Sequence, residues 1–134
     1  MLVIRGPTDA GRIHDTEIRR LVEERFAQIC AGEPYDPEIH GEMIVVEAGD
    51  TLTALEERCG VAIASNPFDD SRFPDPDFVP VCEYLEEHSR CYEALFLFSD
   101  DGAGVNVFVP KQGTDAEILD FCARFAVPAP EVIP

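Results

Sequence analysis

A chain of 134 residues has the length of one domain and buries roughly two-thirds of its unfolded surface on folding, so it needs no disulfide or metal staple. Its net charge of −17 argues against direct binding to DNA, RNA or anionic membranes, whose phosphates it would repel. With 46% hydrophobic residues it is too apolar for a disordered chain. Its apolar runs, such as 94–98, are nonetheless far shorter than the ~20 residues that span a bilayer.

Residues 2–5 read as a short strand, followed by a loop from Gly6 to His14. Asp15 is a suitable N-cap for a helix that runs to about Ala31, because a short side-chain oxygen can accept from the free amides of the first turn. Ile18, Leu21, Val22, Phe26 and Ile29 recur at helical spacing and define its apolar face. Gly32 fits the position after the helix end. Residues 33–41, with Pro34, Pro37 and Gly41, read as a loop. Met43 to Val46 reads as a buried strand. Asp50 can cap a second helix to Cys59, with Leu52, Leu55 and Cys59 inward and Gly60 closing it. Val61 to Ala64 reads as a further short strand, and Asn66 to Asp77 as an ordered, proline-stiffened loop.

The spacing of Phe78, Val81, Cys82 and Leu85 predicts a third helix over about 78–87, capped by Asp77. The clearest supersecondary pattern follows: Ala94 to Phe98 and Val105 to Val109 are strand-like, and Ser99 to Gly104 between them is turn chemistry, which predicts a β-hairpin. Thr114-Asp115-Ala116-Glu117 is a capping box that opens a fourth helix presenting Ile118, Leu119, Cys122 and Phe125 to the core. The proline-rich tail is expected to be extended. Together these predict one α+β domain over 1–134, with a mixed sheet of about five short strands, about four helices and the 94–109 hairpin at the centre.

The charge is uneven. Residues 1–32 are neutral, whereas 33–101 carry eighteen acids against Arg58, Arg72 and Arg90. Within that belt, Asp69, Asp70 and Asp75 in one loop and Asp100 and Asp101 in another are the candidate ligands for Mg²⁺ or Ca²⁺, which take oxygen donors. The spacing matches no EF-hand, and aspartates also serve proline-rich loops and hairpin turns. Phe96, Phe98 and Phe108 are candidates for an interaction patch if the hairpin leaves one face uncovered.

The five cysteines are odd in number, widely spaced and lack a CxxC pair, so they read as small buried hydrophobes in a reducing compartment. His88 and Cys91 are close in sequence, but a helix C-terminus disfavours a thiolate there. No motif implies a cofactor, and the N-terminal segment has no signal-peptide pattern, so the expected location is cytoplasmic. The reading that accounts for most of this is a non-catalytic acidic module for protein interaction or regulation, with a protein partner or a second copy of itself. The alternatives are an acidic inhibitor that mimics nucleic acid toward a basic protein, and a small divalent-metal enzyme using the loop aspartates.

Overall fold

The computed structural model describes residues 1–59, 80–98 and 104–128. The fold is α+β, built on one mixed sheet. In chain order the elements are β1 (Leu2–Ile4), α1 (Pro7–Ala10), α2 (Thr16–Cys30), α3 (Pro37–His40), β2 (Glu42–Val45), α4 (Leu52–Cys59), β3 (Pro80–Glu87), β4 (Cys91–Phe98), β5 (Gly104–Pro110), α5 (Ala116–Phe125) and β6 (Val127–Pro128). The strand order is β1-β2-β5-β4-β3-β6. β2 and β5 are parallel, as are β3 and β6, and the other neighbours are antiparallel. The expected hairpin forms with Ala94 opposite Val107, and its strands are the two central ones.

Both faces of the sheet are covered. Ile44, Val105, Val107, Tyr92, Ala94 and Phe96 pack against α4 and α5. Leu2, Ile4, Met43, Val45, Cys91 and Phe108 pack against α1 and α2. This is why β5 is buried along almost its whole length rather than on alternate residues. The two candidate aromatics Phe96 and Phe108 therefore lie in opposite cores and form no exposed patch. The Phe98 side chain is outside what the structure describes. So are Asp69, Asp70, Asp75, Asp100 and Asp101, the loops that carry them, Gly60 and the strand expected at 61–64.

Local chemistry explains most element ends. Asp15 caps α2 by accepting from the amides of Glu17 and Ile18 at 3.0 and 3.2 Å. The helix ends as the glycine placement suggests, with Gly32 directly after the cap residue Ala31. Ala31 itself takes the left-handed conformation at φ 49°, followed by Gly32 at φ 89°. Left-handed backbone costs a non-glycine residue about 1 kcal/mol. The 33–41 loop contains the single turn α3. It is closed by the Tyr35 hydroxyl, which donates to the Gly41 carbonyl, and by His40 Nδ1, which accepts from the Asp36 amide at 2.9 Å. Gly41 has φ 83° and lies so close to Gly104 that a Cβ would fall 2.5 Å from its carbonyl oxygen, so the start of the parallel pair admits no side chain there.

Three expectations need correction. Thr51, not Asp50, caps α4: its hydroxyl accepts from the Ala54 amide at 3.1 Å, while Asp50 accepts from the Glu47 amide and closes the preceding turn. Asp115, not Thr114, caps α5 by accepting from the Glu117 amide at 2.9 Å. The third correction is larger. The segment read as helix 78–87 is the strand β3 over 80–87, paired along its length with β4. A bulge between Cys82 and Tyr84 is the cause. It inserts Glu83 as an extra, exposed residue, so Cys82 and Leu85 point into the same core although three positions apart. That spacing is also the helical one, so periodicity alone misleads here.

Val107 is 1% exposed at the centre of β5. Val107→Asp buries an uncompensated carboxylate and should lower the unfolding free energy by more than about 3 kcal/mol. Urea denaturation measures this, and a variant as stable as the parent would show that the core is misplaced.

Candidate functional site

On β4, alternate residues point to opposite faces, so Glu93 is aimed at the α2 side while its neighbours Tyr92 and Ala94 join the other core. Glu93 is only 1% exposed. A carboxylate in that position needs compensation, and three elements supply it. Arg25, on the half-buried side of α2, donates to both oxygens, from Nε to Oε2 at 2.6 Å and from Nη2 to Oε1 at 2.8 Å. Tyr84 of β3 places its hydroxyl 3.0 Å from Oε2. His88, in the β3–β4 turn, brings Nε2 to 3.1 Å from Oε1.

The cluster extends to Asn106 of β5, which is 2% exposed and 3.2 Å from the Tyr84 hydroxyl. That hydroxyl has a single proton. The charged carboxylate is the stronger acceptor, and Asn106 Oδ1 accepts from the same hydroxyl at the longer distance. Arg25 also donates to Gln28 Oε1 at 2.8 Å and lies over the Tyr84 ring. The hydrogen bond to Glu93 raises the Arg25 pKa further above its usual value. Burial, then the Glu93 charge, raises that of Tyr84, so the phenol stays protonated and serves as a donor.

Glu86, His88 and Glu93 bring potential ligand atoms within 4.8 Å of one another. Two facts oppose a cation there. Each Glu93 oxygen already has two polar partners, and one of these at each oxygen is a guanidinium nitrogen. The arrangement works as an ion-pair network that fixes α2 to the sheet. Among the described residues no buried side-chain nitrogen or oxygen is left without a partner.

Burial disfavours a thiolate at four of the five cysteines. All five are free and buried. Burial pushes the thiols of Cys59, Cys82, Cys91 and Cys122 up to about 12. His88 and Cys91 do meet, but through the backbone: the His88 amide donates to the Cys91 carbonyl at 2.9 Å. The imidazole faces Glu93.

Several of the few cations link elements of the fold. Arg90 pairs with the cap Asp15 at 2.5 Å, Arg58 with Glu42 at 2.7 Å and Lys111 with Glu87 at 2.9 Å. Hydrogen bonding to Arg90 holds the Asp15 carboxyl below the usual carboxylate range. Arg19 donates twice to the Ile13 carbonyl. By contrast, Glu33, Glu38, Glu57, Glu83, Glu117 and Asp120 are exposed. Among the described residues none of these six forms an ion pair.

Sequence reading missed Glu93. The available signal was an acid at an inward position of a strand that is otherwise apolar and aromatic, Cys91-Tyr92-Glu93-Ala94-Leu95-Phe96.

Two outcomes are expected. Arg25→Met and Glu93→Gln should each lower stability by about 3 kcal/mol, with the double variant losing less than the two combined, because each single change strands the other partner. Urea unfolding of the three variants checks this, and strictly additive losses would mean that the pair is not coupled. In the native protein, a thiol reagent such as DTNB should leave all five cysteines unlabelled at pH 7.5 over minutes, and should label all five once urea unfolds the chain. Rapid native labelling would reveal a thiol that the fold does not protect.

No protein-family model matches the chain, and neither the curated proteins nor the solved structures contain a match to it.

Proposed function

We propose that this chain is a non-catalytic acidic interaction module that docks a basic partner protein. The observation that carries the reading is the allocation of charge. Arg25, Arg58, Arg90 and Lys111 are held in pairs between elements, and among the described residues the exposed carboxylates without an ion pair outnumber the exposed arginines without one, Arg5, Arg12 and Arg124. Such an excess steers encounter with a positively charged surface and repels acidic competitors. Proteins with a basic groove for nucleic acid are one class of partner that fits.

The groups able to do chemistry support the same reading from the other side. The buried carboxylate is fully occupied by hydrogen bonds, and burial keeps four of the five thiols protonated. No described helix is long and apolar enough to cross a membrane.

The test is capture of partners from host lysate on the tagged protein, washed with rising salt. A basic partner should be retained at low salt and lost as ionic strength rises well past about 0.1 M, where the screening length falls to roughly 10 Å. Charge reversal at Glu33, Glu38 and Glu83 should abolish retention without changing the circular dichroism spectrum. A partner that survives strong salt, or one that binds the reversed variant equally well, would overturn the electrostatic reading.

A further inference from the structure

The parallel strands β2 and β5 end side by side, and the chain leaves both of them toward α4 and α5 on one face. The loop that leads into α2 lies on the other face. A crevice of about 380 Å³ lies at these strand ends, beside the start of α2. Ligands in open α/β sheets commonly sit outside the carboxyl ends of parallel strands. The volume is within the range of small-molecule sites.

The lining is amphipathic. Leu2, Ile13, Ile18 and Val45 form an apolar floor, and Arg12, Arg90 and Lys111 stand on the rim. Three cations around one opening stand out in a chain of net charge −17. Arg90 and Lys111 are already matched by Asp15 and Glu87. Arg12 is exposed, and among the described residues its guanidinium has no hydrogen bond or ion pair.

The rim is also braced. The Lys111 amide donates to the Arg90 carbonyl at 3.0 Å, and Arg19 clamps the carbonyl of Ile13, next to Arg12, at 3.0 and 2.7 Å. One unmatched positive charge over an apolar floor suits a ligand with one negative charge and an apolar body. Asp15 and Glu47 on the same rim would repel a dianion. We propose that this crevice binds a small organic monocarboxylate, with its carboxylate on Arg12 and its hydrocarbon part on the floor.

The test uses the whole chain, isotopically labelled, titrated with hexanoate and followed by NMR. Hexanol and inorganic phosphate are the controls. Hexanoate should give saturable shifts at the methyls of Leu2, Ile13, Ile18 and Val45 and at the backbone of 110–112. Arg12→Gln should weaken binding about tenfold or more, the loss expected for a hydrogen bond to a charged group, and Arg12→Lys should restore part of it. Arg124→Gln, on the opposite face, should leave it unchanged. Arg12 is exposed and unpaired, so its variants should fold like the parent. Non-saturable shifts, equal response to hexanol, tighter binding of phosphate, or affinity indifferent to Arg12→Gln would each overturn the assignment.

Discussion

The buried pair of Arg25 and Glu93 is the constraint on which the α2 side of the molecule depends. An ionised carboxylate at 1% exposure in a central strand is tolerable only with a guanidinium delivered to both of its oxygens. That requirement sets the position of α2 along the sheet and draws Tyr84 and His88 into the same cluster, so β3, its turn, β4 and the helix are held as one unit. Apolar packing supplies the bulk of the driving force on this face through Val22, Phe26, Met43 and Phe108. Packing of that kind fixes the helix by shape, and the bidentate ion pair adds a directional constraint.

The same economy of cations shapes the exterior. With ten basic side chains against twenty-seven acidic ones, each inter-element pair engages a cation that the remaining carboxylates then lack as a partner. The pair of Arg90 with Asp15 ties the β3–β4 turn to the α2 cap, that of Lys111 with Glu87 ties the end of β5 to β3, and that of Arg58 with Glu42 ties α4 to β2. The acidic surface and the internal staples are thus two consequences of one allocation. Arg5, Arg12 and Arg124 depart from the pattern, exposed and outside any ion pair among the described residues, and Arg12 stands at the mouth of a crevice with an apolar floor.

Legibility in the sequence followed the range of the interactions. The apolar stripe of α2, the Asp15 cap, the α5 stripe and the hairpin of β4 and β5 all arise from residues within one or two turns or one tight connection, and each was readable. The caps of α4 and α5 were displaced by one residue because Thr51 and Asp50, or Asp115 and Thr114, are chemically able to exchange roles. β3 was misread because its bulge at Glu83 gives Cys82 and Leu85 a helical spacing, and only the partner strand β4 decides between the two.

By itself, then, the amino-acid sequence determined the elements whose stabilising contacts are local, together with the net charge and the burial of the cysteines. The strand pattern in the sequence begins at Ala94, which leaves Glu93 outside it. It held no information on what would meet that Glu: Arg25 is 68 residues away, and its arrival depends on how α2 crosses the sheet. The coverage of both sheet faces, which places Phe96 and Phe108 in separate cores, and the crevice at the ends of β2 and β5 are likewise properties of the assembled layers. Periodicity records which way a side chain points from its own backbone, and only the tertiary structure decides what lies in that direction.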